Sequence, residues 1–123
     1  MFYTYLMAIK IKRLYDKATK ADGARVLVDR LWPRGVSKTE AEITNWEKDW
    51  APSNELRKWF HEDRGSRFKT FERKYQSELK KNKSAITEQL NNHRQTITLV
   101  TAVKDIPHSH LPILQTFLQT LRK

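Results

Sequence analysis

The sequence predicts an α/β domain with a small, mostly parallel sheet, helices packed on its faces, and a long helical insertion between the second and last strands. Three observations predict it. Arg25-Val26-Leu27-Val28-Asp29-Arg30 and Thr96-Ile97-Thr98-Leu99-Val100-Thr101-Ala102 are continuous aliphatic and β-branched runs, the second followed by Lys104-Asp105. Each passes abruptly into charges, as a strand does when both its faces are covered and its end opens to solvent. Between the two runs, apolar residues recur at helical intervals, and a strongly amphipathic segment closes the chain.

Taken in order, Ile9-Lys10-Ile11-Lys12-Arg13-Leu14-Tyr15 begins with the period-two alternation of a half-buried strand, and Asp22-Gly23 marks a turn. Arg25–Arg30 is the first central strand. The connection from Tyr15 to Ala24 is short for a parallel crossover, which usually takes about a dozen residues; a parallel first strand is preferred, with an antiparallel pairing as the alternative. Ser37-Lys38-Thr39-Glu40 has the form of a capping box, with Ile43, Trp46 and Trp50 following at i, i+3 and i+7, so a helix is predicted there, stopped by Pro52. Ser53 can cap a second helix carrying Leu56, Trp59 and Phe60 and ending near Gly65. Ser66 can cap a third, with Phe68, Phe71, Tyr75 and Leu79 on one stripe, and Ser84 to Leu90 forms a weaker fourth with Ile86 and Leu90 inward. Thr96–Ala102 is the second central strand. The last helix starts near Ser109, tolerates Pro112 in its first turn, and turns Leu111, Ile113, Leu114, Phe117, Leu118 and Leu121 inward.

At 123 residues the chain fits one domain, since domains ordinarily run to roughly 100–200 residues. An apolar fraction of 38% with four Trp excludes intrinsic disorder. The absence of cysteine excludes disulfides, thiolate zinc sites and a cysteine nucleophile, and points to the cytoplasm. Met1–Ile9 is apolar but has no preceding basic stretch and no small-residue cleavage site, so a signal peptide is not predicted; no stretch approaches the roughly 20 apolar residues of a membrane span. The net charge of +10 favours phosphate, nucleic acid or another acidic partner. Arg67, Lys69, Arg73, Lys74, Lys80, Lys81 and Lys83 are concentrated in one stretch against Glu72 and Glu78, a pattern that a solvated helix face also produces.

Three strings identify kinship: Lys12-Arg13-Leu14-Tyr15-Asp16; Asp22-Gly23-Ala24-Arg25-Val26-Leu27-Val28-Asp29-Arg30-Leu31-Trp32-Pro33-Arg34-Gly35; and Ala51-Pro52-Ser53-Asn54-Glu55-Leu56-Arg57-Lys58-Trp59-Phe60-His61. Together they resemble the YeaO-like family (domain of unknown function 488), from about Met7 to the C-terminus. The resemblance implies a single domain over 1–123, with residues 1–6 as an N-terminal extension or, alternatively, the product of an upstream start codon, and it implies no particular activity. Where the family carries Asn-His-Ala before its last helix, this chain has Ser109-His110-Leu111, so only His110 carries over.

In parallel α/β sheets ligands bind at the carboxyl ends of strands, where loops converge with helix N-termini. The first central strand delivers Asp29, Arg30, Trp32 and Arg34, with Lys38 beyond; the second delivers Lys104, Asp105, His108 and His110. As a ligand site, Arg30 and Arg34 clamp an anion, Trp32 stacks on it, Lys38 and Lys104 add charge, and Asp29 with His110 moves a proton. The structural alternative makes Asp29 and Arg30 loop anchors, with Trp32 and Pro33 packed.

Asp105, His108 and His110 lack the spacing of a recognised zinc motif, so no metal site is predicted, and capping by Ser109 is the preferred reading. Trp46, Trp50 and Trp59 read as core rather than base-stacking platforms. The three glycines are isolated, which argues against a phosphate-cradling loop, and no Gly-x-Ser-x-Gly elbow exists. No residue pattern singles out a cofactor. The partners in order are a small anionic molecule, nucleic acid through the basic surface, and a regulatory protein contact.

Overall fold

Strand β1 (Ile9–Arg13) forms where the sequence alternates, and β2 (Ala24–Leu27) and β4 (Ile97–Thr101) where it is continuously apolar. With a two-residue strand β3 (Asn45–Trp46), these make one four-stranded sheet in the order β1-β4-β2-β3, every pair parallel, in a computed structural model that describes residues 8–122. The expected extension over residues 1–6 lies outside the described residues. Every residue of β2 and β4 is buried, as strands covered on both faces require. The parallel sense of the first crossover agrees with the preferred reading.

That crossover steps over a strand, because β4 lies between β1 and β2. Residues 14–23 therefore run from one end of the sheet back to the other, tied by Leu14 N to Thr101 O at 2.7 Å and Ala24 N to Thr96 O at 3.1 Å. Gly23 has φ +63°, and a Cβ there would lie 2.0 Å from the Thr96 carbonyl oxygen, so only glycine allows this close turn into β2.

The α-helices among the described residues are α1 (Asn54–Glu62), α2 (Arg64–Lys81), α3 (Lys83–Asn91) and α4 (His110–Leu121). All of them contribute to one core with the face of the sheet that carries Val26, Val28, Ile97 and Leu99. The other face, carrying Leu27 and Val100, packs on Leu14 and Ile43, with Trp32, Val36 and Ala41 against it, so irregular chain covers it instead of helix. Arg25 is buried on that side and donates to Asp22 (2.9 Å), Leu14 O (3.0 Å) and Ala41 O (3.1 Å). No helix among the described residues is long and apolar enough to cross a membrane.

The helix expected from Ser37 through Trp50 does not form. Ser37 Oγ accepts from Glu40 N at 3.3 Å, but Glu42 has φ 51°, a left-handed conformation that ends any helix. Thr44 N then donates to Arg25 O (2.8 Å) and Glu47 N to Leu27 O (2.9 Å), drawing the segment onto the sheet edge as β3. Ile43 belongs to the core on the coil-covered face and Trp50 to the core on the helical face, so the spacing that resembled one helical stripe serves two opposite surfaces.

Two boundaries also move. α1 ends at Asp63 rather than near Gly65, and Asp63, not Ser66, caps α2: its carboxylate accepts from Ser66 N (3.4 Å) and Ser66 Oγ (2.6 Å). Ser53 caps α1 and Ser109 caps α4, with Pro112 inside the first turn, as the sequence predicts.

Candidate functional site

β2 and β4 are neighbours, and the chain leaves their carboxyl ends in opposite directions, to the coil-covered face after β2 and to α4 on the helical face after β4. Divergence of this kind opens a crevice between the two strand ends. Asp29 sits in it. Its carboxylate accepts from Thr101 Oγ1 at 2.6 Å and Ala102 N at 2.9 Å, tying the two strand ends together, and lies 3.6 Å from His110 Nε2.

His110 is the first residue of α4 and is buried. Its Nε2 lies 2.8 Å from the Val28 carbonyl oxygen, which can only accept, so Nε2 carries the hydrogen and donates. Burial pushes the imidazole pKa below its ordinary value; Asp29 and the Val28 carbonyl oppose this, and Arg64 adds to it. At neutral pH the ring is therefore uncharged, with Nδ1 as an acceptor that has no protein partner among the described residues.

Arg30 has its guanidinium engaged internally, by Pro52 O (3.1 Å), Ala51 O (2.9 Å) and Asp49 Oδ1 (3.2 Å), so it fastens the segment leading into α1 to the end of β2. Trp32 turns to the opposite face of the sheet, where its Nε1 donates to Val36 O at 2.8 Å and its ring meets Trp46 edge-on at 5.3 Å. Arg34, Lys38 and Lys104 are exposed. The structure thus brings together Asp29, Arg30 and His110 and separates Trp32, Arg34, Lys38 and Lys104 from them. His108 pairs with Asp105 at 3.1 Å on the surface and does not line the crevice with His110.

A cavity of about 170 Å³ opens at this crevice, lined by Asp29, Arg30, Leu31, Ala51, Pro52, Arg57, Phe60, His61, Arg64, Phe71, Val103, Ser109 and His110. Phe60 and Phe71 form part of its wall as a stacked pair, 4.1 Å between centroids and 15° between planes. Arg57 and Arg64 bring positive charge to the same space, and His61 lines it beside them. Burial and the two neighbouring arginines push the pKa of His61 down, so it too is neutral near pH 7. Neither Arg57 nor Arg64 has a carboxylate partner among the described residues; Arg57 Nε is buried without a hydrogen bond, and Arg64 lies 5.4 Å from the Phe60 ring centre.

Arg57, His61 and Arg64 are absent from the residues that sequence patterning singles out. Their signal was available: cationic types at i, i+4 and i+7 share a helix face as surely as apolar ones do. The pattern is hidden because α1 stops at Asp63, and the third member opens the next helix.

The profile of the family described as "Inactive DUF488-N3 subclade" matches residues 8–123. The chain is 38% identical over 116 residues to the protein named "Uncharacterized protein YeaO" of Escherichia coli (strain K12), covering 94% of this chain and 100% of that one. It is also 38% identical over 106 residues to "Uncharacterized protein Rv3073c" of Mycobacterium tuberculosis (strain ATCC 25618 / H37Rv), covering 86% of this chain and 89% of that one. No solved structure matches the chain.

Proposed function

The chain belongs to the YeaO-like DUF488 family, and from that premise we propose that it is a binding module for a small anion, held where β2 and β4 end, rather than a catalyst. The observation that carries this reading is the pair Arg57 and Arg64, which line the cavity without a carboxylate partner among the described residues. Asp29, the carboxylate in the same wall, is already engaged by Thr101, Ala102 and His110. Arginine without an internal counterion, beside an apolar wall that limits competing water, favours a bidentate anion such as carboxylate or phosphate.

Two features argue against turnover by Asp29 and His110. The His110 Nε2 proton points at the Val28 carbonyl, which cannot take it up, and both Asp29 oxygens are occupied in joining the strand ends. The description of the matched family as inactive supports the same reading. The clamp role that sequence patterning assigns to Arg30 and Arg34 passes to Arg57 and Arg64.

Calorimetric titration with inorganic phosphate and with acetate at low salt tests this. Wild type and an Arg34→Ala/Lys38→Ala control, altered only at exposed positions outside the cavity, are expected to bind saturably. Arg57→Ala/Arg64→Ala is expected to bind at least about tenfold more weakly, since hydrogen bonds to charged groups contribute about 1.5–3 kcal/mol each. Equal affinity in all three proteins overturns the reading. A polyanion such as nucleic acid would instead meet the exposed cations of α2, and its binding would survive loss of Arg57 and Arg64.

A further inference from the structure

We infer that the anion this cavity accepts is monocyclic: one six-membered ring inside, with a single carboxylate turned toward Arg57 and Arg64. The inference rests on the anion-binding reading above and narrows it to a class of ligand. Volume supplies the first argument. A dry apolar cavity of roughly 150 Å³ admits benzene, and this one measures about 170 Å³. It therefore has room for one ring, and a second fused ring would have to extend out through the opening.

The lining supplies the second argument. Phe60 and Phe71 present a stacked aromatic wall, and Pro52 and Val103 add apolar surface, which suits the face or edge of a planar ring. Leu31 lines the same cavity yet is 56% exposed, one of the few large apolar side chains left open to solvent among the described residues. A ring seated beneath it would cover that surface.

Charge sets the orientation. Phe71, Ser109 and His110 are buried, while Arg57 and Arg64 are only partly so and His61 is exposed, so the cations lie toward the opening and His110 toward the interior. The inner end holds the neutral His110 imidazole, its Nε2 3.6 Å from the Asp29 carboxylate. A negative group is repelled there and attracted at the opening, so the ring carries its one anionic substituent outward.

The test compares benzoate, acetate, 2-naphthoate and terephthalate by calorimetry or by thermal shift of the intact chain. Benzoate is expected to bind at least about tenfold more tightly than acetate, because the ring removes apolar surface from water. 2-Naphthoate, whose second ring has no walled space, should gain nothing over benzoate. Terephthalate, with its second carboxylate opposite the first, should bind more weakly than benzoate. In Val103→Phe, which fills the ring space, benzoate should fall to the level of acetate; if that variant does not fold, the wild-type series decides alone. Benzoate and acetate binding equally, both lost in Arg57→Ala/Arg64→Ala, would overturn the ring and leave the anion site standing. No binding by any of the four, or by phosphate, overturns both.

Discussion

Asp22 and Arg25 meet at 2.9 Å under the chain that covers the second face of the sheet, their side chains 7% and 4% exposed. Burial alone would raise the pKa of Asp22, but hydrogen bonds from Thr19, Lys12 and Arg25 outweigh it and hold the carboxyl far below the usual carboxylate range. A folded-state pKa below the unfolded one contributes stability that is fully present above the unfolded value, near pH 4, and is lost as pH falls toward the folded value. Asp22→Asn leaves Arg25 buried without its counterion, so we expect a loss of about 3 kcal/mol at pH 7, read from urea unfolding midpoints. The difference between variant and wild type should shrink steadily below about pH 4. At this scale Arg30 carries a contrast: two charges at a strand end read as a ligand clamp, and in the fold the guanidinium binds the chain's own carbonyls.

The first crossover and β3 are the elements that decide the fold's outline. Residues 14–23 reach across β4 without a helix, and the turn into β2 succeeds because Gly23 passes against the Thr96 backbone. Gly23→Ala combines a left-handed φ with a Cβ only 2.0 Å from a carbonyl oxygen, and backbone on both sides cannot give way. We expect a loss of at least about 3 kcal/mol, measured by denaturant midpoint or as failure to accumulate folded protein. β3 shows the opposite relation between pattern and structure. Ile43, Trp46 and Trp50 have helical spacing, but the backbone of Thr44 and Glu47 bonds to β2, and Trp46 remains on the surface with its Nε1 donating to Asp29 O at 2.7 Å. Sheet-edge hydrogen bonds and two separate apolar surfaces outweigh the local helical preference, which is small per residue.

Across the whole molecule, a net charge of +10 is expected to draw polyanions to the surface irrespective of any pocket. The cavity and this field are separable by salt. Oligonucleotide association is expected to fall at least roughly tenfold between about 0.05 and 0.2 M salt, because several phosphates release counterions together. Benzoate binding, which involves two arginines in a partly enclosed site, should change much less, and Arg57→Ala/Arg64→Ala should leave the oligonucleotide response nearly intact. Loss of oligonucleotide binding in that variant would place polyanions at the cavity instead.

The sequence by itself determines the two central strands, the apolar stripes of all four helices and the Ser53 and Ser109 caps. These are properties of consecutive residues: the burial of a strand and the periodicity of a helix are written within one segment. Only the tertiary structure decides that β4 lies between β1 and β2, that Trp32 turns to the far face, and that Arg57 and Arg64 rather than Arg30 and Arg34 bring unpaired charge to the cavity. Those outcomes depend on which distant segments share a face and which carbonyls a guanidinium reaches first. Strand order and packing settle both, and neither is encoded in the spacing of neighbours along the chain.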